Sequence, residues 1–278
     1  MKYFILPLLA LAFLASCKNK APKQEQQQDT ISTKPSSNTT ADLIAKFKPI
    51  FTGNWVKISY IDKVIATKSP LAAMDKVKGI TCILFDRHKV EGDSLMVLLG
   101  WENHDSSESP LRFKRGKREN SLQLGDSEIQ YSVIKGDTVL TLYWVGENHK
   151  VTTTVYKKSP LANDNLGTGL EYFINKGLVA GNYIMTDSNA VKSKVSLSAN
   201  GIIKGFSPFK TYNIHNDLNE EPMDNLDRIG FSDGKTVPYT WFTFKITGDT
   251  LKLFSTKPNA DSSLLEIDKL RYTLIRQK

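Results

Sequence analysis

A chain of 278 residues has room for one large domain or two modest ones. An apolar share of 40% is ordinary for a globular protein and excludes a wholly disordered chain, and two cysteines cannot make a disulfide framework. The formal net charge of +8, which falls by one if a leader carrying Lys2 is removed, is spread along the sequence. Such a spread gives weak attraction to anionic surfaces and argues against nucleic acid as a partner.

Met1-Lys2-Tyr3 is a short positive start, followed by an uncharged apolar run over residues 4–13. That run is too short to span roughly 30 Å of hydrocarbon. The next residues, Leu14-Ala15-Ser16-Cys17, resemble the bacterial lipobox, in which small residues precede a cysteine that is acylated and becomes the new N-terminus. The resemblance implies a signal peptide over 1–16 and a Cys17 that carries diacylglycerol and an amide-linked acyl chain such as palmitate. Two or more chains anchor firmly where one does not. Lys18-Asn19-Lys20 lacks the aspartate that marks inner-membrane retention in enteric bacteria. This implies an outer-membrane address in the cell envelope, with the leaflet left open. Residues 17–40 read as the acylated cysteine and a flexible tether, because Gln, Lys, Ser, Thr and Pro bury too little surface to offset their ordering entropy. Random-coil scaling gives this tether a reach of roughly 25 Å. Within it, Asp29-Thr30-Ile31 resembles an O-glycosylation acceptor of Bacteroidetes.

The first unit is expected over 41–160. A short apolar-periodic helix at Leu43-Ile44-Ala45-Lys46-Phe47 gives way to a period of two. In the first strand Trp55, Lys57 and Ser59 share one face and Val56, Ile58 and Tyr60 the other. Further strands are predicted at 80–85, 94–99, 129–134, 139–145 and 151–156, with weaker ones at 111–114 and 121–124. Gly-Asp, Lys-Gly and Glu-Asn pairs between them suit tight antiparallel turns. Residues 80–85 and 95–99 are apolar on both faces, so the second unit is expected to cover their outer side.

A linker at 161–169 leads to a second unit at 170–278 that repeats the first. Leu170-Glu171-Tyr172-Phe173-Ile174 precedes Gly181-Asn182-Tyr183 as the first helix precedes Gly53-Asn54-Trp55, with the glycines 128 positions apart. A Gly-Asp-Thr turn lies near the end of each unit, at Gly136 and at Gly248. Strands are predicted at 183–186, 194–198, 202–206, 211–215, 228–231, 240–247, 250–255 and 270–276. Residues 216–226 are polar and acidic, as suits a mobile loop beside an opening.

About eight short antiparallel strands after a helical turn, twice over, point to an all-β chain of two tandem up-and-down barrels. A single larger sandwich is the alternative. Gly53-Asn54-Trp55 resembles the Gly-x-Trp signature that opens the first strand of lipocalins, and the whole chain is similar to lipocalin-like lipoproteins of Bacteroidetes. The resemblance implies a basic residue at the end of each last strand, packed over the aromatic residue to close the barrel. Lys157 or Lys158 stands at that place for Trp55, and Arg276 for Tyr183. It also implies a small apolar ligand. An eight-stranded barrel is either filled by its own side chains or holds one small molecule. Trp101, Tyr131, Tyr143, Phe242, Phe244 and Tyr272 are thus candidates either for ligand lining or for packed core.

No residue pattern points to catalysis, and neither a metal nor a cofactor is expected. His88, His104, His149 and His215 lack metal-site spacing, and no nucleophile elbow, phosphate loop or Cys-x-x-Cys occurs. Cys82 lies in an apolar run and reads as a small buried side chain. Arg112, Lys114, Arg115, Lys117 and Arg118 form a basic patch that reads as a solvated hairpin or as a contact for envelope phosphates or an acidic protein. Two functions remain. One is a membrane-anchored lipoprotein that binds a small apolar or amphipathic ligand. The other is a scaffold or immunity lipoprotein with filled barrels that meets another envelope protein.

Overall fold

Leu43, Phe47 and Phe51 recur every four residues and form one buried stripe, and Thr39 starts the helix in a capping box with Asp42. In the computed structural model, which describes residues 39–162, 165–218, 222–235 and 239–278, this helix is α1 (Thr40–Phe51). The lipobox with Cys17, the tether before residue 39 and Asp29-Thr30-Ile31 lie outside the described residues. So do part of the linker and the side chains of residues 86–89, including that of His88.

After α1 comes a closed eight-stranded antiparallel barrel. Its strands are β1 (Gly53–Lys57), β2 (Ile80–Glu91), β3 (Ser94–Trp101), β4 (Asp105–Arg115), β5 (Ser121–Leu124), β6 (Ser127–Ile134), β7 (Asp137–Val145) and β8 (Val151–Lys158). Each pairs with the next, and β8 returns to pair with β1. Alternation turns Trp55, Ile83, Phe85, Val97, Leu99, Leu111, Leu124, Leu142 and Tyr156 into one buried cluster with the α1 stripe. The barrel interior is therefore occupied by side chains, with α1 contributing two phenylalanines.

The first strand does not continue through Tyr60 as its alternation suggested. It ends at Lys57, and α2 (Ile58–Thr67) follows, burying Tyr60, Ile61 and Val64 at helical spacing. A 3₁₀ turn (Leu71–Lys76) then leads into β2. On the outer side of the barrel Val56 and Cys82 face each other across β1 and β2, and they join a second core cluster with α2 and the second unit. Residues 95–99 need no such cover, because Leu95, Val97 and Leu99 point inward while Met96 is 48% exposed.

The second unit begins with α3 (Thr168–Leu178), whose Leu170, Ile174 and Leu178 repeat the α1 stripe. Eight strands follow: β9 (Gly181–Asp187), β10 (Lys192–Leu197), β11 (Ile203–Lys204), β12 (Thr211–Ile214), β13 (Arg228–Ser232), β14 (Thr240–Thr247), β15 (Thr250–Pro258) and β16 (Leu265–Arg276). They form one antiparallel sheet in the order β11-β10-β9-β16-β15-β14-β13-β12. The expected second closed barrel is corrected here, because this sheet is not closed. The strand expected over 202–206 stops at Lys204. The chain turns back through Phe206 to Phe209 past Pro208, which has no N–H to give to a ladder. Its edge strands meet only at the isolated bridge between Ile202 and Thr211. Val195, Tyr183, Leu274, Leu251, Phe244 and Phe231 line its inner face over α3. The opposite side of α3 rests on the first unit, where Gly177 leaves room for Ile65 of α2. The Asn54 side-chain amide fastens the linker by donating to the carbonyls of Asn165 (2.8 Å) and Leu166 (2.7 Å).

Candidate functional site

The cation over Trp55 is Lys158. Strand alternation puts Lys158 on the face that carries Trp55 and Tyr156, directly opposite Trp55 in the β1–β8 register. Its Nζ lies 5.4 Å from the indole centroid and donates to the Ile50 carbonyl at 3.0 Å. Lys157, the neighbouring candidate, points the other way and lies 4.3 Å over Phe173 of α3, so the pairing of Lys157 with Trp55 is corrected. In the second unit Arg276 lies 5.2 Å over Tyr183 and donates to the carbonyls of Ala180 (2.6 Å) and Leu178 (3.3 Å). Each aromatic also reaches back four residues: Trp55 Nε1 donates to Phe51 O and Tyr183 Oη to Val179 O, both at 2.6 Å.

The six aromatic candidates do not converge on one cavity. Tyr131 packs edge-on against Phe47 and Phe51 at the α1 end of the barrel cluster. Trp101 meets Trp144 edge-on at 5.3 Å and donates to Ser107 Oγ. Phe242, Phe244 and Tyr272 belong to the packed face of the second sheet, where Tyr272 touches Phe206 and Phe242. Tyr143 is on the outer side of the barrel, since alternation turns Leu142 inward, and lies 3.6 Å under the Arg118 guanidinium. Arg118 in turn pairs with Glu128 at 2.7 Å, so this end of the basic patch is engaged within the fold. Burial raises the Glu128 carboxyl, but hydrogen bonds from Ser121 and Arg118 outweigh it and hold the group below its usual range.

Between the barrel and the second sheet lies a cleft of about 420 Å³. The turn from β3 to β4 supplies Asn103 and His104, and the start of β4 supplies Asp105. The end of β12 and the segment after it supply Asn213, Ile214, His215, Asn216 and Asp217. Trp241 of β14 forms a wall, and Cys82, Leu166, Leu170 and Glu171 line the side toward α3. Two contacts cross between the units at the rim. Asn103 Nδ2 donates to the Asn216 carbonyl at 3.0 Å, and His104 Nδ1 meets Asp217 Oδ1 at 3.0 Å. His215 is held by Asp224 at 3.1 Å, and Arg228 shares the same carboxylate.

Buried polar atoms with no hydrogen-bond partner among the described residues include Asn213 Oδ1 and Asn103 Oδ1 of the cleft lining, the Tyr60 hydroxyl beside Asn103, and Nε of Arg228, whose guanidinium lies 5.5 Å over Trp241. Asn103 and Tyr60 are neighbours of complementary donor and acceptor character, whereas Asn213 has no such mate. Burial pushes the Glu171 carboxyl above its usual range, and it pushes the Cys82 thiol up to about 12 despite a hydrogen bond with Thr81. Cys82 is thus a buried thiol rather than a nucleophile. Among the described residues no group of three His, Cys, Asp or Glu side chains is placed to hold a metal ion.

The polar segment expected beside an opening does contribute Asn216 and Asp217 to this cleft. Asn103, Glu171, Asn213 and Trp241 were not singled out by sequence. They sit on four different elements, and only the docking of two units brings them together. Fold and cleft together define a mostly-β protein, with a barrel of a kind that can hold a ligand and a second, open antiparallel sheet. No family model, no curated protein and no solved structure matches the chain.

Proposed function

We propose that the chain is a non-enzymatic binding lipoprotein of the cell envelope, lipocalin-like in its first unit, whose small amphipathic ligand sits between the two units. One observation carries this reading: the cleft joins an apolar wall of Leu166, Ile214 and Trp241 to buried polar groups, including an Asn213 oxygen that no described residue satisfies. Buried polar atoms are rarely left unpaired without a reason, and a ligand is one such reason. The barrel interior is a poorer place for it, being occupied by Phe47, Phe51, Trp55 and their neighbours. The lipobox resemblance supports anchoring at the outer membrane through Cys17.

The test uses the full chain carrying Cys17→Ser, exported to a periplasm, with mass spectrometry of co-purifying small molecules. A stoichiometric amphipathic species that is lost in Ser106→Trp, which places an indole at the cleft rim, supports the reading. Protein free of small molecules, with no thermal shift from envelope extracts, overturns it. The filled barrel then favours the other reading, a scaffold or immunity protein that contacts an envelope protein.

A further inference from the structure

We infer that the cleft between the barrel and the second sheet selects a small organic cation, an ammonium group carried on an apolar skeleton. The inference rests on the cleft being the binding site proposed above and names the class of ligand it takes.

Charge is the first argument. The chain carries a formal net charge of +8, yet its described cleft residues include Asp105, Glu171 and Asp217 and neither a lysine nor an arginine. The lining of the cleft is therefore acidic in a molecule that is basic as a whole. Low-dielectric walls concentrate such a field on whatever enters.

Hydrogen-bonding capacity is the second. Asn213 offers a buried oxygen with no donor among the described residues, and the half-buried carboxylate of Glu171 lines the same cleft. Both groups present acceptors to the cleft, so a ligand that brings donors suits them. An ammonium group carries three donors, no acceptor and the compensating charge. Glu171 also sits in the first turn of α3, where the helix dipole favours an ionised carboxylate while burial opposes it. A cation in the cleft removes that conflict. Trp241, Leu166 and Ile214 offer apolar surface to a carbon skeleton. A volume of about 420 Å³ suits a small molecule. Among the described residues these three carboxylates are not gathered into a metal-binding group, which favours an organic cation over a metal ion.

The experiment titrates the full chain carrying Cys17→Ser with phenethylamine, cyclohexylamine and spermidine at pH 7 and low salt. Phenethyl alcohol and phenylacetate serve as neutral and anionic matches, and calorimetry and tryptophan fluorescence are the readouts. At least one amine is expected to bind saturably, with affinity lowered about tenfold or more by Glu171→Gln, the loss of one charge-assisted contact. Asn213→Leu should weaken the same amine while the circular dichroism spectrum stays unchanged. If the alcohol or phenylacetate binds as tightly as the amine and Ser106→Trp blocks both, the cation inference falls and the binding function stands. Binding of calcium or magnesium ions with the same dependence on Glu171 also overturns it, in favour of a metal. The charge of any species recovered from envelope extracts decides in the same sense, a cation supporting and a neutral or anionic molecule overturning. If nothing in the panel binds and extracts leave nothing on the protein, both the inference and the proposed function fall.

Discussion

Lys158 stands directly opposite Trp55 across the seam that closes the barrel, its ammonium 5.4 Å from the indole centroid. Arg276 stands opposite Tyr183 in the same way, at 5.2 Å, although the sheet that contains it is open. The shared device thus joins the first strand of each unit to its last. It does not require the remaining edges to meet.

Removing these cations should cost stability unequally. Lys158→Ala loses a cation over an aromatic face and one carbonyl contact, about 1 kcal/mol at a solvent-facing site. Arg276→Ala also loses two guanidinium bonds to the carbonyls that end α3, and a cost of about 2–3 kcal/mol is expected. Urea unfolding of both variants measures the difference. Equal, negligible losses would show that neither contact supports its fold.

The glycines of the repeated motif make room for these cations. Gly53 has φ +117, a conformation that costs an L-residue about 1–3 kcal/mol, and an added Cβ would sit 3.1 Å from Lys158 Cε. At Gly181 the Cβ would lie 2.6 Å from Arg276 Nη1, so Gly181→Ala should displace the guanidinium. A double-mutant cycle checks this: Gly181→Ala and Arg276→Ala are expected to be less than additive, because each disrupts the same contact.

Glu171→Gln should stabilise the protein without ligand at neutral pH. Burial raises the folded carboxyl above its ordinary value of 4.5, so the native state holds the proton more tightly than the unfolded chain. Stability therefore falls as pH rises from that ordinary value through the raised one, and ionised Glu171 is a net cost above it. The glutamine variant escapes the cost. Its melting-temperature advantage should be present at pH 7 and should vanish below the ordinary value. An advantage independent of pH would mean that the carboxylate charge is not its source.

Cys82 should resist alkylation. Its thiol is buried against Val56, α2 and α3, and burial keeps it protonated at ordinary pH. In the Cys17→Ser chain, iodoacetamide at pH 8 is expected to leave Cys82 unmodified until urea unfolds the protein. Rapid labelling under native conditions would show that the two units separate readily and expose the barrel wall.

All sixteen strands lie within or overlap the runs that alternation and turn chemistry mark out, because strand period and Gly-Asp turns are local properties. The two helical stripes, Leu43-Phe47-Phe51 and Leu170-Ile174-Leu178, are local in the same sense. Where local reading failed, two regular patterns competed. Residues 58–60 can continue the alternation of the first strand or open a helix that places Tyr60, Ile61 and Val64 on one side, and burial against α3 favoured the helix.

The repeated unit, its antiparallel strands and the aromatic and basic residues at its ends are legible along the chain, since each depends on near neighbours. Only the tertiary structure decided that the first sheet closes and the second does not. Closure is a matter of edge strands of matching length, and β11 is too short to supply one. It alone chose Lys158 over Lys157, because that choice turns on which face the last strand presents to Trp55. The cleft was settled in the same way. Asn103, Glu171, Asn213 and Trp241 carry no shared signal along the chain, and they become one site only because α3 packs between a barrel wall and a sheet.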